Sequence, residues 1–441
     1  MPVALDLAYA AAAAVTSPVW AARLLRTGKW RTDWAGRWGR VTPPLPPKGP
    51  GQRRLLIHAV SLGEVNLTRD LVRLLAERDP TLDIVISSTT NTGFARAEQL
   101  FTPARRVVRY PLDFSAMVGR FLDAVDPDVV ALAENEVWPN FTAACARRGV
   151  ALAVINGRLT ARSHRRYAKL RPLVAPMYAR LAAVAAQTPD YAARFVDLGT
   201  PSERVHVLDT MKWDTAQLAD AAAVPGRDEL AVALGLDRAR PVIVLGSTGE
   251  DEERPLVDAL QLSQHPDWQV VIVPRKPERF DAVAAQFPGI VRRTRTPLRN
   301  PAPGTGTPPL FLLDTLGELR AAYALADAVI VGRSFNGWGG SDPIEPVALG
   351  RPTVVGPDHA NFADAVAALR AAGGLVVAPT PAAAAADVAR LLADRPAADA
   401  LAQRGRAVIL SRQGATARHA DLLLALLAAA GNRSAPRTPR P

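Results

Sequence analysis

From Arg54 onward, short and nearly continuous apolar runs alternate with longer stretches in which apolar residues recur every three or four positions. LLIHAV (55–60), DIVISS (83–88), RVVRY (106–110), DVVALAE (128–134), ALAVIN (151–156), AAVAAQ (182–187) and RVHVLD (204–209) read as strands, with helical periodicity between them. Strands that are apolar on both faces and joined by helices build a parallel sheet covered on both sides. A second series follows: PVIVLGS (241–247), QVVIVPR (269–275), PLFLLD (309–314), AVIVG (328–332), PTVVG (352–356) and GLVVA (374–378). The pattern predicts an α/β chain of two Rossmann-like, doubly wound domains, at 53–217 and 218–431. Their junction lies in the Ala/Asp/Arg-rich stretch 218–240. Two such domains facing one another would line a shared cleft with the carboxyl ends of their strands.

The first fifty residues break this rhythm. Leu7 to Ala22 is an uncharged, Ala-heavy run interrupted by Thr16, Ser17 and Pro18, shorter than the roughly 20 apolar residues that span a bilayer. Asp6 stands where a signal peptide would carry basic residues. Downstream, Arg23, Arg26, Lys29, Arg31, Arg37 and Arg40 are interleaved with Trp20, Trp30, Trp34 and Trp38. Indole rings and cationic side chains together suit an anionic membrane surface. Residues 1–40 are therefore expected to form a monotopic anchor with a basic-aromatic interface segment, a single span being the alternative. Residues 41–52, VTPPLPPKGPGQ, read as a proline-rich linker, and 432–441 as a disordered basic tail.

The formal charge of +11 calls for an anionic partner. It is concentrated in the N-terminal segment, one helix and the tail, and no basic-aromatic module of a nucleic-acid fold is legible, so no nucleic-acid partner is expected. The single cysteine, Cys145, excludes an intrachain disulfide framework. The six histidines are scattered without metal-ligand spacing, and there is no P-loop or nucleophile elbow.

Candidate chemistry sits where strands end. The first strand exits into HAVSLGEV, which places Glu64 at the start of a helix as a possible general base, with His58 and Ser61 as neighbours. A carboxylate that merely complements the helix dipole is the plain alternative. AENEVWPN puts Glu134 and Glu136 at another strand end, able to bind a polyhydroxylated acceptor or to cap a helix. NGRLTARSHRRYAKLR carries Arg158, Arg162, Arg165, Arg166, Lys169 and Arg171, which suit an anionic acceptor or a solvated face. In the second half, Ser247 and Thr248 end a strand before an acidic helix, and Arg275 is fixed between Pro274 and Pro277 as a phosphate or carboxylate clamp. GRSFNGWGGSDPIEPVALGRP then reads as a glycine loop, in which Gly339, Gly340 and Ser341 lead to a helix start suited to phosphate. Glu345 follows, placed for ribose hydroxyls.

These segments together resemble the family of 3-deoxy-D-manno-octulosonic acid (Kdo) transferases. HAVSLGE, TTNTGF, ENEVWPN, NGRLTARS, QTPDYAARFVDLGT, MKWD, PRKPERF, DTLGELRAAYALADAVIVGRSF and GGSDPIEPVALGRP occur in order, from about residue 7 to 425. The resemblance implies a GT-B glycosyltransferase on the cytoplasmic face of the bacterial inner membrane, moving Kdo from CMP-Kdo to a lipid A precursor with inversion. It implies no cofactor and no active-site metal. Glu64 matches the family's general base, Glu134 and Glu136 its acidic motif, Arg275 the donor-binding arginine and Glu345 the acid at the CMP ribose. Lys276 and Ser341-Asp342 depart from the family pattern, as does the Asn336-Gly337-Trp338 segment. Another nucleotide sugar therefore stays open as donor, and a basic nucleic-acid-binding protein is the alternative of another class.

Overall fold

The computed structural model describes residues 5–11, 14, 16–17, 32–295 and 310–434. It divides into two compact units, one made of the residues up to Thr215 together with those from Gly414 on, the other of Ala216–Gln413.

The first unit holds strands β1 (Arg54–His58), β2 (Asp83–Ser88), β3 (Arg106–Arg109), β4 (Val129–Ala133), β5 (Ala151–Gly157), β6 (Ala183–Ala186) and β7 (Val205–Val207). They form an all-parallel sheet in the order β3-β2-β1-β4-β5-β6-β7. β1, β2, β4 and β5 consist almost wholly of buried residues, so both faces of the sheet must be covered there. One face packs Phe121, Phe141, Phe195 and Tyr178. The other packs Leu71 and Leu75 of helix Leu62–Arg78 with Leu423 and Leu427 of helix Ala415–Ser434.

That last helix corrects the expected boundary. The second domain was expected to run to residue 431, yet the chain leaves the second unit at Gln413 and its closing helix completes the first. His419, buried, accepts the Asn156 amide on Nε2 (3.0 Å) and pairs Nδ1 with the Ala415 carbonyl (2.8 Å), which fixes the helix to the end of β5. The segment read as a proline-rich linker is likewise part of the first unit. Val41 and Leu45 pack on the core, Arg54 donates to the Pro46 carbonyl (2.7 Å), and Lys48 pairs with Asp126 and Asp128. Prolines that deny a strand its ladder are here the rim of a sheet rather than a spacer.

The second unit holds β8 (Val242–Thr248), β9 (Gln269–Pro274), β10 (Val291–Arg292), β11 (Leu310–Leu312), β12 (Ala328–Val331), β13 (Thr353–Val355) and β14 (Val376–Val377), again all parallel, in the order β10-β11-β9-β8-β12-β13-β14. β10 is the one strand that the apolar pattern misses, being two half-buried residues at an edge. The strand order reverses between β1 and β4 in the first sheet and between β8 and β12 in the second, whose far edge also carries β10 outside β11. Loops diverge at such a point and leave a crevice at the carboxyl ends of the strands.

Of the expected anchor, residues 5–11, 14, 16, 17 and 32–40 are described, the first ten of them helical; residues 1–4, 12, 13, 15 and 18–31 lie outside the described residues, as do 296–309 and 435–441. Asp6 accepts from the Ser115 amide (3.0 Å) and Asn140 Nδ2 (2.9 Å), and Tyr9 donates to Asp113 (3.1 Å). No helix among the described residues is long and apolar enough to cross a membrane.

Candidate active site

The crevice between β1 and β4 gathers carboxylates. β1 ends at His58, and Ser61 caps the helix that follows, its Oγ accepting from the Glu64 amide (3.4 Å). The Ser-x-x-Glu spacing builds a variant of the capping box, in which the Glu64 carboxylate reaches back to the Val60 amide and the Ser61 hydroxyl. Glu64 Oε2 accepts from the Val60 amide (2.8 Å) and Oε1 from Ser61 Oγ (2.8 Å). Burial pushes the Glu64 carboxyl up to about 7; the Val60 and Ser61 hydrogen bonds oppose the shift, and the charges of Glu134 and Glu136 add to it. A carboxylate so poised is half ionised near neutrality, the condition in which it exchanges protons best.

β4 delivers the other two acids. Glu134 sits in the left-handed region with φ +57°, its amide donating to the Ile155 carbonyl (3.0 Å). A non-glycine residue there is strained by roughly 1 kcal/mol or more. Asn135 Oδ1 accepts from Tyr178 Oη (2.9 Å), and Glu136 from the Trp138 indole N–H (2.9 Å). Burial raises the Glu136 pKa, the Trp138 bond opposes this and Glu134 adds to it. Ser61, Glu64, Glu134 and Glu136 thus belong to one crevice.

His58 is placed differently from expectation. Its ring is fully buried, stacked 3.7 Å from Tyr110 between ring centroids, with Nδ1 at Ser87 and Nε2 3.4 Å from Thr89 Oγ1. Burial lowers its pKa to about 3, so it is a neutral core residue behind the crevice and not a group that touches an acceptor. Arg158 is half-buried just beyond β5, and Arg162 is exposed on helix Ala161–Ala168, which buries no side chain. Tyr167, Leu170 and Leu173 are exposed beside its cations.

The crevice between β8 and β12 gathers cations. A shallow pocket there is lined by Gly249, Glu250, Arg275, Lys276, Arg333 and Trp338 among others. Arg275 is exposed at the end of β9, its amide held by the Thr248 carbonyl (3.1 Å). Thr248 itself is fully buried, and its hydroxyl donates to Glu253 (2.7 Å), which also grips Arg279. Ser247 has φ +53° and accepts on its carbonyl from Ser341 Oγ (3.0 Å). The Thr248 hydroxyl therefore serves the fold rather than a phosphate, and the Ser247 hydroxyl is hydrogen-bonded to Tyr323.

The glycine loop also differs from expectation. The Gly339 amide donates to Asp358 (2.7 Å), Gly340 to the Arg333 carbonyl (2.8 Å), Ser341 to the Gly332 carbonyl (3.0 Å) and Ile344 to Asp342 (2.8 Å). The helix behind the loop spans only Ile344–Ala348. Amides expected to cradle phosphate are consumed in holding the loop, and Asp342 is engaged by the Ile344 amide. Glu345 is half-buried, with its pKa raised by burial and by Asp342, and lies 3.8 Å from Arg320.

Sequence reasoning missed Glu252 and Arg333. Glu252 is buried and accepts four backbone amides: Gly249 (2.9 Å), Arg333 (2.5 Å), Ser334 (2.8 Å) and Phe335 (3.0 Å). One carboxylate thus ties the loops after β8 and β12 together. Its only signal was a place in the run GEDEE, read as a helix-start acid. Among the described residues no cluster of three or more His, Cys, Asp or Glu side chains is arranged to hold a metal ion.

A model of the 3-deoxy-D-manno-octulosonic-acid transferase (kdotransferase) family matches residues 32–215. The chain is 35% identical over 412 residues to the 3-deoxy-D-manno-octulosonic acid transferase of Bordetella pertussis, covering 90% of this chain and 92% of the relative. With the Haemophilus influenzae enzyme of the same name it shares 32% over 396 residues, 88% and 89% of the two chains. Among solved structures, Anabaena HepE in complex with UDP matches with a TM-score of 0.57 at 15% identity, over 85% of this chain and 100% of that one. A glycosyltransferase from Rickettsia africae matches with a TM-score of 0.56 at 11% identity, over 85% and 99%. At these identities the likeness concerns the fold, which is that of GT-B-like glycosyltransferases.

Proposed function

This chain belongs to the 3-deoxy-D-manno-octulosonic acid (Kdo) transferase family, and from that premise we propose that it moves Kdo from CMP-Kdo to a lipid A precursor with inversion at the anomeric carbon. It is a glycosyltransferase of lipopolysaccharide synthesis.

The observation that carries the mechanism is the Glu64 carboxyl, held by Val60 and Ser61 and raised to about 7. Glu64 takes the proton of the attacking sugar hydroxyl as its oxygen bonds to the anomeric carbon. The bond from that carbon to the CMP phosphate oxygen breaks, and CMP leaves with the electron pair. Arg275 neutralises the departing phosphate, so the reaction needs no divalent ion for that purpose. Glu345, desolvated and without a bidentate partner, accepts from the ribose hydroxyls of CMP. Glu134 and Glu136 accept from acceptor hydroxyls and keep the proton affinity of Glu64 high.

The acceptor is an amphiphile with anionic groups, and the face that suits it carries Arg162, Arg165, Arg166 and Lys169 beside exposed Tyr167, Leu170 and Leu173. Cations meet phosphates while apolar side chains meet acyl chains. Residues 1–40 act as a monotopic anchor on the cytoplasmic face of the inner membrane; exposed Trp34 and Trp38 support an interfacial position.

The test is transfer by purified protein from freshly generated CMP-Kdo to a lipid A precursor, read by mass spectrometry with and without EDTA. An acceptor mass gain of one or more Kdo units in both arms is expected. Product only without EDTA would refute metal independence, and no product in either arm would refute the donor or acceptor assignment.

A further inference from the structure

Arg333 is a non-glycine residue at φ +58°, immediately after β12 at the crevice of the second sheet. Most side chains avoid that region, at a cost of roughly 1 kcal/mol, and glycine does not. Nothing in the packing demands arginine there. Its side chain crosses over Gly249, where a Cβ would stand 3.0 Å from Arg333 Cγ, and its Nη2 donates to the Trp338 carbonyl (3.3 Å). The guanidinium lies 5.8 Å from the centre of the half-exposed Trp338 ring. Its backbone amide is fixed by Glu252, so the side chain starts from a rigid point.

Around it stand Arg275 and Lys276 from the end of β9, on the other side of β8. Arg279 is already neutralised by Glu253, and Glu252 is used up on amides, which leaves Glu250 as the carboxylate of the pocket wall against three cations. Burial, followed by the nearby Arg275 charge, lowers the Arg333 pKa, and the Glu252 and Asp358 charges offset this only in part. A strained arginine on a tethered loop, lining one pocket with Arg275 and Lys276, is a costly arrangement that an anionic ligand would relieve.

We propose that Arg333 and Arg275 form a two-armed oxyanion clamp and that Arg333 is a specificity-determining residue for the nucleotide sugar. The clamp takes a phosphate or carboxylate oxygen of the donor, with Trp338 covering it. This rests on the CMP-Kdo reading above, since that donor carries both a phosphodiester and a sugar carboxylate.

The test measures CMP and freshly generated CMP-Kdo binding to the full chain by calorimetry, for wild type, Arg333→Gly, Arg333→Lys and Trp338→Ala. Glycine suits φ +58°, so Arg333→Gly keeps or raises the thermal midpoint and a lost affinity is not a lost fold. CMP-Kdo affinity should fall about ten-fold or more in Arg333→Gly, with partial recovery in Arg333→Lys. An equal fall for CMP identifies the phosphate as the clamped group; an unchanged CMP affinity identifies the carboxylate. A loss in Trp338→Ala as large as in Arg333→Gly, with no recovery in Arg333→Lys, would make Arg333 a mere prop for the loop and overturn the clamp. Unchanged CMP-Kdo affinity in Arg333→Gly would overturn it with the donor reading intact. No wild-type binding would overturn the donor reading and the clamp together.

Discussion

Glu64 in the first unit and Glu252 in the second stand at equivalent places, each an acid at the start of the helix that follows the strand where the sheet reverses. Their surroundings separate them. Glu252 spends both oxygens on four backbone amides of two loops, and nothing remains for a substrate. Glu64 receives one amide and one hydroxyl, stays partly accessible, and is pushed up to about 7 mainly by burial. One carboxylate is a structural tie; the other has the environment of the proton acceptor proposed above. The crevices differ in the same sense: the first adds Glu134 and Glu136, the second Arg275, Lys276 and Arg333. A doubly wound sheet decides where a site lies; the residues one to six positions beyond each strand decide what it does.

The comparison can be broken most sharply at Glu64. Glu64→Gln should lower single-turnover transfer by about 10²–10⁴-fold, the range for a lost general base, while calorimetry finds CMP binding unchanged. Because the folded-state pKa of Glu64 lies above its ordinary value, its ionisation costs stability that is present at low pH and lost as pH rises through about 7. The thermal midpoint of Glu64→Gln at pH 8 should therefore equal or exceed that of wild type.

Glu252→Ala should do the reverse. It leaves four amides unpaired and should destabilise the second unit by about 3–5 kcal/mol in urea unfolding, with donor binding weakened as a consequence. Wild-type stability would show that the tie is dispensable.

Acid should act next, on the first unit. His58 and His419 are held neutral, with burial lowering their pKa values to about 3 and 4. The unfolded chain protonates both near pH 6.5, so stability is full above that pH and is lost as pH falls towards 4, by on the order of 2–3 kcal/mol per pH unit for the pair. Unfolding midpoints from pH 7 to 4.5 check this, and a flat profile would mean that the two imidazoles are hydrated.

The smallest effect is expected from Ser61→Ala, which removes a helix cap and one hydrogen bond to Glu64. Stability should fall by about 1 kcal/mol, and the Glu64 pKa should rise further, moving the acidic limb of activity to higher pH.

Much of the fold was legible because parallel strands buried on both faces leave long apolar runs. All strands but β10 were visible this way, and Glu64, Glu134, Glu136 and Arg275 stood out as charges at their ends. The features that escaped depend on contacts remote in sequence. Residues 41–52 pack as a rim because Arg54 and Asp128 reach them, and the final helix returns to the first unit through His419 and Leu423. Neither shows in local periodicity. The amides of Gly339, Gly340 and Ser341 looked available because the pattern does not reveal that Asp358 and the loop after β12 would consume them. Arg333 lacked any signal until its positive φ was seen.

The most direct test of a working Glu64 against a structural Glu252 is the pH dependence of kcat/KM for Kdo transfer, measured from pH 5 to 9 in the wild-type enzyme. It should rise with unit slope to a plateau, with an apparent pKa near 7 set by Glu64. A profile flat across that range would contradict the assignment of Glu64 as the base.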